Sequence, residues 1–268
     1  MNTKTAVHIT DNYLLNPTNP VTVNLIGAGG TGSHMITELA ILNHALTALG
    51  HAGLQVNLFD DDIVSEANLA RQLFADAELG LSKSVALINR TNRFFGTNWK
   101  AVKQKYSYSS LYKMPNKGRA NIYISCVDTS AARFDIAKAL NDIAADNNIH
   151  RDKALYWMDL GNSKFTGQVI LSTITAIKQP VSKLYETVSV LTKITDEFKE
   201  LLEAEDDKNE PSCSLAEALE RQSLFINQAV ANPAANLLTT LFREGMTDTR
   251  GVFINLKTFT NVPLKIAC

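Results

Sequence analysis

The chain has 268 residues and a formal net charge of −1, and 45% of its residues are hydrophobic. This length can bury a substantial core, in one large domain or in one domain with an appendage. General nucleic-acid-binding proteins are strongly basic, so the near-neutral charge argues against that class. The cysteines Cys126, Cys213 and Cys268 lack the C-x-x-C spacing of a structural zinc site, so we expect neither zinc nor a disulfide framework.

The sequence carries no signal for export or for a membrane. No apolar run is long enough to span a bilayer, and residues 1–16 lack the apolar core of a secretory signal. We therefore expect a soluble, cytoplasmic protein with no membrane partner. The five histidines show no convergent ligand pattern, and we interpret them as surface or satisfied core residues.

The first element of function is a glycine-rich turn between a predicted strand and a predicted helix. Residues 23–33 have the sequence VNLIGAGGTGS, and apolar residues at helical spacing follow. Glycines permit positive φ angles and close backbone approach, and a helix N-terminus attracts anions. The turn predicts a nucleotide phosphate site, with dinucleotide binding or a purely structural turn as alternatives. The predicted phosphate cradle is Gly27, Gly29, Gly30 and Thr31.

A second predicted strand, residues 56–59, runs into the acidic turn DDD at residues 60–62. A carboxylate at the end of the second strand of such a unit accepts hydrogen bonds from ribose, so we assign that role to Asp60 and NAD stays possible. The segment that follows favours ATP, because Arg71 and Lys83 would neutralise a triphosphate and the charge that develops on its cleavage. For each basic residue alone, the alternative is an ordinary solvated helix charge.

Two further strands are predicted from apolar runs at residues 121–126 and 154–160. The first ends at Asp128 and Thr129, either of which would cap the helix that follows. Apolar residues spaced by three and four between Leu184 and Leu201 then predict an amphipathic helix.

An acidic loop, residues 201–213, follows this predicted helix, and we interpret it as mobile. Cys213 precedes a predicted helix, whose N-terminus would stabilise a nucleophilic thiolate; the alternative is a small buried side chain. Pro233 marks a kink or a new helix start. Residues 251–256 and 262–266 predict a final pair of strands.

Taken together, GAGGTGS, D-x-D-x-V-x-x-x-N-L-x-R-Q and G-x-x-K resemble the ThiF/MoeB and ubiquitin-activating-enzyme family. The resemblance implies an α/β fold with a doubly wound Rossmann-like sheet, C-terminal helices and a terminal antiparallel strand pair. It covers nearly the whole chain as a single domain, 1–268, with a nucleotide-binding part, 1–175, and a C-terminal part, 176–268. The matching positions are Gly27, Gly29, Gly30, Gly32, Asp60, Asp62, Val64, Asn68, Leu69, Arg71, Gln72, Gly80 and Lys83.

The resemblance also implies an activity: adenylation of the C-terminal glycine carboxylate of a small ubiquitin-like protein, by a homodimer that uses ATP and Mg²⁺. Within it, Asp128 would hold the magnesium and Lys83 would neutralise triphosphate charge. The phosphate contacts would come from Asp62, Asn68 and Arg71, with Gln72 as their support. The strand predicted over residues 154–160 and the segment 161–169 would be the family's next strand and its G-x-x-G-F-x-G-Q-V hairpin.

The segment P-S-C-S-L around Cys213 is similar to the P-x-C-T-L around the thioester cysteine of eukaryotic members. With the A-E-A-L that follows, it most resembles the ThiF-related proteins encoded in bacterial PRTRC plasmid cassettes. Two features depart from the family. Residues 1–20 contain no arginine to reach a partner subunit's ATP, and Lys4 offers only a point charge in its place. The paired zinc-binding cysteines are also missing. A non-catalytic ATP-binding scaffold is therefore the alternative function.

Overall fold

The computed structural model describes residues 4–69, 71–146, 151–205 and 223–267. The described strands are β1 Thr5–Ile9, β2 Val21–Ile26, β3 Leu54–Phe59, β4 Lys100–Val102, β5 Ile122–Ser125, β6 Tyr156–Asn162, β7 Thr166–Thr173, β8 Tyr185–Thr187, β9 Met246–Thr247, β10 Thr249–Asn255 and β11 Thr260–Lys265. The described helices are α1 Asn12–Leu15, α2 Gly30–Ala48, α3 Lys83–Phe95, α4 Ser130–Ala145, α5 Ile194–Glu197, α6 Lys199–Glu205 and α7 Ile226–Arg243.

The central sheet has the strand order β11-β10-β7-β6-β5-β2-β3-β4. Strands β4, β3, β2, β5 and β6 run parallel, whereas β7, β10 and β11 join by antiparallel pairing. Strand β1 lies in a second, small sheet between β8 and β9. The predicted α/β class, its mostly parallel sheet and its terminal antiparallel strands are confirmed. Among the described helices, none combines the length and apolarity needed to cross a bilayer.

Alternating side chains of the central strands fill two apolar layers, one on each face of the sheet. On β5, Ile122 and Ile124 enter the layer that also holds residues of α2, α3 and α7, while Tyr123 enters the layer beneath α4. Trp157 lies in the same layer as Tyr123, and its neighbours on β6 point the other way. Helices thus cover both faces, which leaves the strand ends to form a site.

The predicted amphipathic helix between Leu184 and Leu201 is wrong over its first half. Residues 185–187 form β8 beside β1, and the amide of Val188 donates to the carbonyl of Val7 at 2.8 Å. Leu191 is buried while Leu184 is exposed, so the spaced leucines do not share one face. The backbone groups of this segment form hydrogen bonds with β1, which is distant in sequence. The spacing of apolar residues alone gives no information about that pairing. Only α5 and α6 are helical.

Two predictions for the C-terminal part have different outcomes. The final strand pair is confirmed as the antiparallel hairpin of β10 and β11. Pro233 lies inside α7 and does not start a new helix, since α7 continues on both sides of it. The loop predicted over 201–213 begins with α6, and residues 206–222, including Cys213, lie outside the described residues.

One histidine shows how the core treats an ionisable group. His8 of β1 is fully buried, with Nδ1 2.7 Å from the Val188 carbonyl oxygen and Nε2 2.9 Å from the Tyr156 hydroxyl. A carbonyl oxygen only accepts, so Nδ1 carries the proton and Nε2 accepts from the tyrosine. Burial lowers the pKa of His8 from its usual value. The interpretation of this histidine as a satisfied core residue is confirmed.

We expect the free energy of unfolding to fall as pH drops below about 6.5. The pKa of folded His8 lies below that of the unfolded residue, so its contribution is intact above the unfolded pKa. Below that value the unfolded chain binds the proton first, and stability declines towards the folded pKa. Urea unfolding at several pH values measures the decline.

Burial also lowers the pKa of His34, so that residue adds a decline of the same sign. The variant His8→Gln should lose the His8 share of the decline, and His34→Gln should lose only the His34 share. A decline that is unchanged in His8→Gln would contradict the assignment.

Candidate functional site

The carboxyl ends of β2, β3 and β5 lie side by side at one edge of the central sheet. The amide of Gly27, just after β2, donates to the carbonyl of Phe59 at the end of β3, at 2.9 Å. The amide of Cys126, just after β5, donates to the carbonyl of Ile26 at 2.8 Å. The glycine turn, the acidic turn and the segment after β5 therefore meet there. Ligands of open α/β sheets bind at such an edge.

In the glycine turn, the backbone leaves no room for a side chain at Gly32, whereas the space beside Gly29 is open. Gly27 has φ +95°, and a Cβ on Gly32 would lie 1.9 Å from the Gly27 carbonyl oxygen. By contrast, a Cβ on Gly29 would have no atom within 4 Å. Gly29 is also the N-cap of α2, with no side chain capping the helix. The N-terminus of α2 thus presents uncapped amides beside open space, which suits an anion.

The other two predicted cradle residues face the protein interior. A Cβ on Gly30 would lie 2.5 Å from the Asn227 side chain, so Gly30 leaves room for α7. The Thr31 hydroxyl donates to Asn227 Oδ1 at 3.2 Å and accepts from Asn162 Nδ2 at 2.7 Å. The Thr31 hydroxyl is therefore engaged within the protein, while a phosphate contact by the backbone amides of Gly30 and Thr31 stays a prediction.

Asp60 supports the glycine turn from the end of β3. Its Oδ2 accepts from the Ala28 amide at 2.6 Å, and its Oδ1 accepts from the Asp62 amide at 2.9 Å. Burial raises the pKa of Asp60, although the amides and nearby Lys83 oppose that effect. The contact with ribose that we predicted for Asp60 stays a prediction.

Lys83 lies at the start of α3 with its amine held at the same edge. Its Nζ is 2.9 Å from Asp62 Oδ2, and its side chain is buried while that of Asp62 is exposed. The backbone fixes this pair as well, because the Lys83 amide donates to the Asp62 carbonyl at 3.0 Å. The structure therefore brings together two residues predicted to act on phosphates.

The three predicted residues between these elements differ in their roles. Asn68 is buried and holds its own turn, since its Oδ1 accepts from the amide and the hydroxyl of Ser65. Gln72 is buried, and its Oε1 has no hydrogen-bond partner among the described residues. Arg71 is half-buried, and burial lowers its pKa from the usual value. The Leu73 amide donates to Ser33 Oγ at 3.1 Å, which ties this segment to α2.

Asp128 lies exposed just after β5, and the N-cap of α4 is Thr129 rather than Asp128. Of the two candidates for the cap, the structure therefore selects Thr129. The described residues hold no group of three or more His, Cys, Asp or Glu placed to bind a metal. Mg²⁺ in phosphate sites uses one or two carboxylates with phosphate oxygens and water, so a single carboxylate fits it.

Of the two cysteines near the predicted chemistry, only one is described. Cys126 lies behind the glycine turn, where burial raises the pKa of its thiol. A thiol that stays protonated is a poor nucleophile. Cys213, the predicted thioester residue, lies outside the described residues.

Sequence reasoning missed two sets of buried polar residues at this edge. Asp159 of β6 pairs with Arg133 of α4, with Arg133 Nε 3.0 Å from Asp159 Oδ2. The second set is Asn162 at the end of β6 and Asn227 in the first turn of α7, which meet at Thr31. A charged residue inside an apolar strand could have drawn attention to Asp159. Nothing in the local pattern singles out the asparagines.

Comparison with known proteins gives one family and several structures of similar fold. The ThiF family profile matches residues 13–266. PaaA is similar with a TM-score of 0.59 at 13% identity, covering 92% of this chain and 64% of PaaA. E. coli MccB with ATP is similar with a TM-score of 0.56 at 15% identity, covering 95% of this chain and 65% of MccB.

E. coli MccB with AMPCPP and selenomethionine MccA is also similar, with a TM-score of 0.57 at 14% identity. That match covers 92% of this chain and 64% of MccB. At these identities the likeness concerns the fold. No curated protein sequence matches the chain significantly.

Proposed function

We propose that this chain, which belongs to the ThiF family, uses ATP to adenylate the C-terminal carboxylate of a small protein or peptide. The observation that supports it most is the open N-terminus of α2 at Gly29, with the Lys83–Asp62 pair at the same sheet edge. MccB, which has a similar fold, has been crystallised with ATP and with MccA. The family and that likeness favour ATP over NAD.

In the proposed reaction, a carboxylate oxygen of the carrier attacks the α-phosphorus of ATP. A new oxygen–phosphorus bond forms, the bond from the α-phosphorus to the bridging oxygen breaks, and pyrophosphate leaves with that electron pair. The protein would contribute positioning and charge stabilisation. Backbone amides from Gly29 onwards would bind phosphate oxygens, and Lys83 and Arg71 would offset the charge that develops.

Magnesium, when bound, would withdraw charge from the phosphates. Asp128 is the residue we assign to it, because its carboxylate is exposed at the end of β5 and does not cap α4. Asp62 pairs with Lys83 through one of its oxygens, and its proposed role is at the phosphates.

The finer substrate assignment is a ubiquitin-like protein with a C-terminal glycine. It rests on the sequence resemblance, in particular on P-S-C-S-L-A-E-A-L around Cys213 and its likeness to the PRTRC-encoded members. In this proposal the adenylate passes its acyl group to the Cys213 thiolate, forming a thioester and releasing AMP. A homodimer is proposed on the same resemblance and on the general frequency of two-fold symmetry.

An exchange assay tests the adenylation step. Radiolabelled pyrophosphate should enter ATP when the cognate carrier and Mg²⁺ are present, and Asp128→Ala should lower that rate about 100-fold or more. The matched control is Asp61→Ala, which removes another exposed carboxylate, in the acidic turn after β3, that has no proposed role. Absence of exchange with a confirmed carrier, or equal rates in both variants, would contradict the proposal.

The Cys213 step needs its own measurement. A thiol-sensitive adduct with the carrier should form in the wild type and disappear in Cys213→Ala, while pyrophosphate exchange persists. Cys268→Ala serves as the control for a cysteine without a proposed role. An adduct that survives in Cys213→Ala would show that the thioester lies elsewhere.

The second candidate, a non-catalytic ATP-binding scaffold, is favoured by one observation. Residues 1–20 hold no arginine, and the amine of Lys4 donates to the Ser182 carbonyl of its own chain at 3.1 Å. A lysine so engaged is a weak substitute for an arginine that reaches a partner subunit. ATP binding without exchange, in the presence of the carrier, would favour this candidate.

A further inference from the structure

We propose that Asn227 is a positioning residue that holds the Arg71 segment and the glycine turn in fixed relation. Asn227 lies in the first turn of α7 and is only 1% exposed, and its side chain bonds to both elements. The inference rests on the proposed function, because the elements that it joins are those assigned to ATP phosphates. The effect of Asn227 on the Arg71 segment can be tested separately, without nucleotide.

The side chains of Asn227, Thr31 and Asn162 are joined by three hydrogen bonds. Asn227 Oδ1 accepts from the Thr31 hydroxyl at 3.2 Å and from Asn162 Nδ2 at 3.0 Å. Asn162 gives its other amide hydrogen to the Thr31 hydroxyl at 2.7 Å. Each acceptor and donor of the triangle therefore has one defined direction, which fixes the orientation of the Asn227 amide.

The fixed amide points its donor at the segment that carries the predicted arginine. Asn227 Nδ2 donates to the carbonyl oxygen of Arg71 at 3.3 Å. That carbonyl precedes Gln72, which is itself buried. One asparagine thus connects the first turn of α2, the end of β6 and the backbone of Arg71. Its side chain is buried away from the open face at Gly29, so it acts through these neighbours.

Two neighbouring residues, Gly30 and Ser33, bear on the contact between Asn227 and the Arg71 segment. Gly30 is the residue that allows it, since a Cβ there would lie 2.5 Å from the Asn227 amide atoms. A second tether runs in parallel, because Ser33 Oγ donates to the Gly30 carbonyl at 2.8 Å and accepts from the Leu73 amide at 3.1 Å. With Ser33 in place, loss of Asn227 should shift the Arg71 segment without releasing it.

The test compares nucleotide affinities in Asn227→Ala with those in Asn236→Ala, an exposed asparagine of the same helix. Asn227→Ala should weaken ATP about tenfold or more and leave adenosine nearly unchanged, because only the phosphates contact the displaced elements. Asn236→Ala should change neither affinity. Equal losses for ATP and adenosine, or no loss for ATP, would overturn the positioning role.

Hydrogen exchange of the ligand-free protein separates this inference from the proposed function. In Asn227→Ala the amides of residues 71–73 should exchange about tenfold faster than in Asn236→Ala. This holds even if the wild type binds no ATP, a result that would defeat the proposed function alone. Unchanged exchange would overturn the inference.

A second variant covers the case in which Asn227→Ala does not fold. Asn227→Asp keeps the volume and the acceptor for Thr31 but turns an oxygen towards the Arg71 carbonyl. It should accelerate exchange at residues 71–73 and weaken ATP more than adenosine. If Asn227→Asp leaves both unchanged, the inference is wrong.

Discussion

Asp159→Ala should lower the free energy of unfolding by about 3–5 kcal/mol, because it leaves the Arg133 guanidinium buried without its counter-charge. The Asp159 side chain is 1% exposed and that of Arg133 is 6% exposed. Asp159 Oδ1 also accepts from the Ser125 hydroxyl at 2.6 Å, so the variant leaves a second buried group with one partner fewer. Urea denaturation measures the loss.

The matched control is Asp248→Ala, which removes the acidic partner of an exposed pair with Lys265 and should cost about 1 kcal/mol or less. Asp159→Asn separates charge from shape, since it keeps the volume and one acceptor and should cost less than Asp159→Ala. The account of the buried pair is wrong if Asp159→Ala costs no more than Asp248→Ala.

Gly32→Ala should prevent the glycine turn from closing and cost about 3 kcal/mol or more. A Cβ there would lie 1.9 Å from the Gly27 carbonyl oxygen, and a backbone atom cannot move aside as a flexible side chain would. Thermal unfolding measures the loss of stability. ATP binding should be lost as well, because the turn and the N-terminus of α2 share these residues.

Gly29→Ala is the matched control, with no atom within 4 Å of the added methyl group. It should change stability by about 1 kcal/mol or less, because alanine is only a poorer N-cap than glycine. It should still weaken ATP, since the methyl group would occupy the space that phosphates approach. If Gly29→Ala binds ATP as the wild type does, the phosphates do not bind at Gly29.

Much of the fold follows from local pattern in the sequence. The glycine turn, the apolar strands and the acidic turn after β3 each have a signature within ten residues, and parallel pairing brings their ends together. The same reasoning gave a wrong prediction for residues 184–193, because strand β8 is formed by pairing with residues 180 positions earlier. Apolar spacing carries no information about such a partner.

The candidate site likewise contains residues that the sequence predicts and residues that it does not. Lys83 and Asp62 were predicted to act at one place, and the structure brings them to 2.9 Å. The sequence does not predict the residues that hold the glycine turn in position. Asn162 and Asn227 lie far apart in the sequence, and only the fold brings them together at Thr31. Gly30 was assigned to phosphate for its residue type, and only the structure shows that its missing side chain admits α7.

The proposed reaction transfers AMP from ATP to a carboxylate. The most direct measurement follows the label from ATP carrying a radioactive α-phosphate or a radioactive γ-phosphate, with the carrier and Mg²⁺ present. We expect the α-label on the carrier, or in AMP once the acyl group moves on, and the γ-label in pyrophosphate. Release of ADP, or γ-label on the carrier, would contradict it.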